Sequence, residues 1–209
     1  MIFCLIVIIT CLFIKKKSAL SIVFSRYILL IFEKKELMIF DNLKRVKAFV
    51  LDVDGVLTDG RVLVNESGHQ MRTFNIKDGY VMQLAVKRDY PIIIITGGNS
   101  TGVVKRLAGL GIQEIHSGIA NKIEKLKDIL ISYELTFDDI LYMGDDIPDL
   151  ECMQLAGLAA CPADAVEEIK AICHYISPKS GGHGAVRDVM EKVMKIQGKW
   201  QVDTTVKSN

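Results

Sequence analysis

Asp52 and Asp54 stand two residues apart at the end of an apolar run, in Phe49-Val-Leu-Asp-Val-Asp-Gly-Val-Leu-Thr-Asp-Gly60. On an extended chain that spacing sends both side chains the same way. Two carboxylates brought together repel unless a proton or a cation holds them. Three more loops carry groups of matching chemistry. Thr96-Gly97-Gly98-Asn99-Ser100 follows a run of four isoleucines. Lys122 opens an amphipathic stretch, and Gly144-Asp145-Asp146-Ile-Pro-Asp149 follows the apolar segment 139–143. Taken together, these are several carboxylates, a hydroxyl beside glycine amides and one ammonium. Oxygen ligands of this kind suit Mg²⁺. Thr96 and the amides of Gly97 and Gly98 suit phosphate oxygens at a helix start. A lysine suits charge developing on a transferring phosphoryl group. One carboxylate can attack phosphorus, and a second can protonate the leaving oxygen and then activate water.

Each loop alone has a plainer reading. TGGNS is also an ordinary strand-to-helix loop with Ser100 as N-cap. GDDIPD is also a turn leading into a helix whose dipole favours acids. Lys122 is one of three lysines in NKIEKLKD. What favours the chemical reading is the order of elements that carries the four loops to one place. Candidate strands cover 46–52, 91–95, 112–116, 139–143, 157–160 and 174–176. Candidate helices cover 78–89, 100–109, 120–133, 147–156, 164–172 and 184–197. This alternation implies a parallel sheet with helices on both faces. In such a fold, ligands sit beyond the C-terminal strand ends. Residues 60–75 break the rhythm and read as a β-hairpin around Asn65-Glu66-Ser67-Gly68.

DVDGVLTDG, IIITGG, Lys122 and GDDIPD together resemble the four motifs of the haloacid dehalogenase superfamily of phosphatases, over residues 46 to about 198. The short hairpin, with no inserted cap domain, resembles the capless subgroup. FNIKDGY (74–80), GGHGAVRD (181–188) and IQGKW (196–200) are similar to the branch acting on 3-deoxy-D-manno-octulosonate 8-phosphate, used for lipopolysaccharide. The resemblance implies a Rossmann-like α/β fold and a Mg²⁺-dependent phosphatase working through an aspartyl-phosphate. By the same resemblance Asp52 is nucleophile and metal ligand, and Asp54 is acid/base and binds metal through its backbone carbonyl. Asp145 is the third metal ligand, and Thr96 and Lys122 hold the phosphate. Asn75, Ile76, Lys77, Asp78 and Gly79 line the substrate site with Gly97 and Arg106. A homotetramer is implied too, with hairpins packed together and a neighbour closing each site. The glycine-rich 180–184 then looks like a mobile tail, and His183 within it reads as loop polarity. Gly98 and Gln83 stand where some relatives carry cations. That keeps a nine-carbon, sialic-acid-type phosphosugar open as a second substrate. A non-catalytic binding partner of the same fold is a further alternative. A receiver-like switch would not need Asp54.

Composition bounds the rest. The chain has 209 residues and a formal net charge of +1, which gives no electrostatic case for nucleic acid. Five cysteines without CxxC spacing argue against both a disulfide framework and a zinc site, and suit a reducing, cytoplasmic compartment. Residues 1–37 differ from the remainder. Residues 1–14 are almost wholly apolar and Lys15, Lys16 and Lys17 follow, a run short for a membrane span. Two accounts stand. One is a membrane anchor. The other, which we expect, is an upstream region read as protein, with the true start at Met38. The phosphatase domain is then 38–200, with a polar tail at 201–209.

Overall fold

The computed structural model describes Tyr27 and residues 37–206. The leader expectation therefore falls almost wholly outside the described residues. The chain divides into two compact units, Met1–Asp41 and Asn42–Asn209. Within the first, residues 37–41 are helical.

The second unit is built on strands whose sequences leave no polar face. β1 (Ala48–Leu51), β4 (Ile92–Ile95), β6 (Ile140–Met143) and β7 (Leu158–Cys161) are buried at every position. Such uninterrupted apolar runs need cover on both sides, which a parallel sheet flanked by helices provides. Together with β5 (Glu114–His116) and β8 (Tyr175–Ile176) they form one six-stranded sheet in the order β5-β4-β1-β6-β7-β8, every pairing parallel. The two edges are the short, incompletely buried strands β5 and β8.

The helices are α1 (Ile76–Lys87), α2 (Thr101–Gly109), α3 (Lys122–Ser132), α4 (Leu150–Leu155), α5 (Glu167–Ile172) and α6 (Ala185–Ile196). Alternation along each strand divides the core in two. Ala48, Val50, Ile93, Ile95 and Tyr142 pack with Ile123, Leu126 and Leu130 of α3, Cys152 and Met153 of α4, and Ile169 of α5. Phe49 and Leu51 turn to the other face, where α1 and α6 pack against each other and Phe49 meets the ring of Tyr90 at 5.1 Å.

Register places the loops. Leu51 is paired with Ile94 on one side and with Met143 on the other. Asp52, Thr96 and Asp145 therefore leave the sheet at a single edge, as the alternation requires. The hairpin also forms, with two residues per strand: β2 (Leu63–Val64) against β3 (Gln70–Met71). The Gly68 amide donates to Asn65 O at 2.9 Å across its turn. Among the described residues no cap domain interrupts the sheet.

Two helices start three residues later than expected. Residues 147–149 form a 3-10 turn before α4 begins at Leu150. Pro148 has no N–H for a helical bond, and the Asp146 side chain accepts from Ile147 N. The helix expected from 164 starts at Glu167, because Ala165 N is turned back onto Pro162 O.

Candidate active site

Asp52 is fixed where β1 ends, its amide donating to Met143 O at 3.0 Å. The chain then folds over Val53, whose carbonyl accepts from the amides of Leu57 and Thr58 and, at 3.3 Å, from the Thr58 hydroxyl. Thr58 is fully buried and also takes the Gly55 and Gly60 amides, so it holds the acidic loop together. Gly55 has a φ of +88°, and a Cβ there would lie 2.0 Å from Asp145 Oδ2. Glycine is thus required twice at this position, for its backbone and for the approach of Asp145.

Asp52, Asp145 and Asp149 each offer a carboxylate oxygen within 4.8 Å of the others. Lys122 enters this group from the first turn of α3. Its Nζ donates to Asp149 Oδ1 at 2.8 Å and lies 2.8 Å from Asp52 Oδ1, an ion pair without hydrogen-bond alignment. Asp149 Oδ1 also accepts from the Tyr142 hydroxyl at 2.8 Å, and Asp149 Oδ2 accepts from the Asp145 amide at 3.4 Å. Asp149 thereby fixes the ammonium beside Asp52. Neither Asp149 nor Tyr142 was assigned a role from sequence. The signal for Asp149 lay in GDDIPD itself, whose last acid is delivered inward by the 3-10 turn.

The electrostatics follow from crowding. Burial, then the charge of Asp149, raises the Asp52 pKa to about 7 against the pull of Lys122. Burial, then Asp52 and Asp149, raises Asp145 to about 7. For Lys122, burial opposes the charged form, but Asp52 and Asp149 outweigh it and hold the pKa above the ordinary lysine value. One lysine does not balance three carboxylates. Asp145 Oδ1 is moreover buried without a hydrogen-bond partner, and Asp52 Oδ1 has only the Lys122 ammonium beside it. Buried carboxylate oxygens of this kind want a cation, and an all-oxygen set fits Mg²⁺.

The Thr96 loop follows β4 at the same edge. Thr96 is buried, and its hydroxyl oxygen accepts from the Gly98 amide at 3.2 Å. The hydroxyl proton stays available to an anion, and Gly97 beside it is exposed. Ser100 is indeed the N-cap of α2, as the plainer reading of TGGNS has it.

Asp54 sits apart from the other acids. Its carboxylate is paired with Arg72, a residue the sequence did not single out. A groove of about 860 Å³ opens between the hairpin and the start of α2, and Arg72 and Arg106 both line it. Gly79 lies beneath Arg106, for a Cβ there would stand 2.8 Å from Arg106 Nη2. Ile76 and Lys77 are exposed on the first turn of α1.

Asn75 and Asp78 both serve as helix caps. Asn75 caps α1, accepting from Lys77 N at 2.8 Å and donating to Gly182 O at 3.1 Å. Asp78 is 1% exposed and accepts from the amides of Gly184 and Arg187, so it caps α6. The glycine-rich segment likewise has close partners. Gly182 N donates to Val56 O at 3.1 Å, and a Cβ on Gly181 would fall 1.7 Å from Gly55 O. His183 Nδ1 sits 2.7 Å from Gly181 O, within its own loop.

Residues 107–190 match a family model described as haloacid dehalogenase-like hydrolase. The chain is 35% identical to the 3-deoxy-D-manno-octulosonate 8-phosphate phosphatase of Escherichia coli K12 over 156 residues, 75% of this chain and 83% of that one. It is 30% identical to the Yersinia pestis protein of that name over 154 residues, 74% of this chain and 82% of that one. A Moraxella catarrhalis phosphatase of the same name, crystallised with magnesium, phosphate and a KDO molecule, superposes with a TM-score of 0.75. That likeness has 34% identity and covers 77% of this chain and 92% of the other. The acids at the sheet edge, the Thr96-Gly97-Gly98 loop beside them and these likenesses lead to one assignment: the chain belongs to the haloacid dehalogenase-like hydrolase family.

Proposed function

We propose that the protein is a Mg²⁺-dependent phosphatase of 3-deoxy-D-manno-octulosonate 8-phosphate, releasing the eight-carbon sugar acid and inorganic phosphate in the cytoplasm. The observation that carries this reading is the cluster of Asp52, Asp145 and Asp149, three carboxylates with the single ammonium of Lys122 among them at the mouth of the sheet. The substrate comes from the likeness to the Escherichia coli and Moraxella catarrhalis phosphatases.

In this reading Asp52, the backbone carbonyl of Asp54 and Asp145 hold the Mg²⁺. That ion would neutralise the acids and draw charge from the phosphate oxygens. Thr96, the Gly97 amide and Lys122 orient the phosphoryl group, with the Gly98 amide holding the Thr96 hydroxyl. The Asp52 carboxylate attacks phosphorus, and the bond to the sugar oxygen breaks as that oxygen takes a proton from Asp54. Asp54, now a carboxylate, takes a proton from water as the water attacks the aspartyl-phosphate. The phosphorus–Asp52 bond breaks, and both acids return to their starting forms. Lys77 and Arg106 suit the sugar's carboxylate. We further propose a homotetramer assembled through the hairpins, in which a neighbouring subunit closes each site.

The test is phosphate release from the eight-carbon and nine-carbon phosphosugars side by side, with and without EDTA. We expect turnover favouring the eight-carbon substrate, abolished by EDTA and reduced at least about 1000-fold by Asp52→Asn, as loss of a nucleophile requires. Preference for the nine-carbon sugar would reassign the substrate. No turnover of any sugar phosphate in Mg²⁺ would leave a binding protein.

A further inference from the structure

Two donors of one guanidinium grip the Asp54 carboxylate. Arg72 Nε donates to Oδ1 at 2.6 Å and Nη2 donates to Oδ2 at 3.1 Å. A fork of this kind fixes the plane of a carboxylate as well as its position. The Arg72 side chain is 8% exposed, although it follows directly on a hairpin strand whose last residue, Met71, faces solvent. Alternation turns Arg72 to the face opposite Met71. Gly98 makes the room. A Cβ on residue 98 would stand 3.1 Å from Asp54 Oδ2 and 3.4 Å from Arg72 Nη2, so the guanidinium and the carboxylate lie together over a bare α-carbon. Asp54, Arg72, Thr96 and Gly98 all line one small cavity beside the phosphate loop. The pairing shifts the Arg72 pKa up, chiefly through the hydrogen bond to Asp54.

Without this grip, the Asp54 carboxylate, 35% exposed, would be free to change rotamer. We propose that Arg72 is the positioning residue for Asp54, the arm by which the hairpin holds the acid/base against the leaving oxygen. The inference rests on the phosphatase reading above. It assigns the hairpin a part in the chemistry of its own subunit, separate from any part in assembly.

Leaving-group dependence tests it. A sugar alkoxide needs the proton Asp54 supplies, whereas p-nitrophenolate departs as a stable anion. Because kcat/KM reports only steps through departure of the alcohol, it isolates that proton transfer. Arg72→Met should lower kcat/KM about 100-fold for whichever sugar phosphate the wild type hydrolyses, the cost expected of a misplaced catalytic group. For p-nitrophenyl phosphate the loss should stay under about threefold, since that reaction does without the acid. Arg72→Lys keeps the charge but cannot reach both oxygens, and its loss on the sugar phosphate should fall between wild type and Arg72→Met. Equal losses on the two substrates would place Arg72 in phosphate binding or in folding and overturn the inference, as would an unchanged rate on the sugar phosphate. A wild type that hydrolyses neither substrate overturns the phosphatase reading itself, which tells the two failures apart.

Discussion

At the scale of residues, the site is an electrostatic conflict that the fold maintains. Asp52 and Asp145 both have pKa values raised from 3.8 to about 7. A carboxyl whose folded pKa exceeds its unfolded one binds its proton better in the folded state. The stability it contributes is complete below the unfolded value and is lost as pH rises through the folded one. In EDTA, the melting temperature should therefore fall as pH rises from about 4 to about 7 and level off above that. A bound divalent cation replaces those protons. Added Mg²⁺ should then raise the melting temperature more at about pH 8 than at about pH 5, by mass action on the folded state. Differential scanning calorimetry at the two pH values, with and without Mg²⁺, measures this directly. A Mg²⁺ effect that was the same at both would show that the cation does not replace protons on these acids.

At the scale of elements, α1 and α6 are locked through one side chain. Asp78 stands in the first turn of α1, yet its carboxylate serves the amides of Gly184 and Arg187 at the start of α6. Asp78→Ala leaves those donors buried without an acceptor. It should destabilise the protein by about 2 kcal/mol, the usual cost of a lost cap at a buried helix end. Urea unfolding would read that loss. Asp78→Asn, which keeps one acceptor, should recover part of it. This lock also marks how far the sequence could be read. The strands were legible because IIII and DILYM are apolar runs closed by glycine and aspartate, and parallel pairing then brought Asp52, Thr96 and Asp145 to one edge. Lys122 was legible from its place at the start of a helix. Asp149 was not, because its aim depends on the 3-10 turn that Pro148 induces. Arg72 was not, because its partner lies 18 residues away across a turn that periodicity does not describe. The contact of Gly181 with the acidic loop was hidden for the same reason: glycine spacing shows where the chain can bend, not what comes to lie against it.

At the scale of the whole molecule, the hairpin is an element that its own subunit leaves uncovered. Leu63 is 66% exposed and its cross-strand partner Met71 47% exposed, on the face turned away from Arg72. Two-residue strands with an exposed apolar face are marginal alone. Packing against copies of themselves would bury that face and steady the arm that carries Arg72. Assembly through the hairpin would use the face opposite the one that holds Asp54, so the two proposed roles can be separated. The double substitution Leu63→Asp, Met71→Asp places four like charges at a two-fold contact between hairpins and leaves the Arg72 face intact. Sedimentation equilibrium should show a tetramer for the wild type and a smaller species for the variant. Activity should fall as the variant is diluted through its dissociation range, because a site closed by a neighbour opens when the neighbour leaves. A variant with the wild-type mass would place the interface elsewhere. A dissociated variant with full kcat/KM would show that each subunit completes its own site.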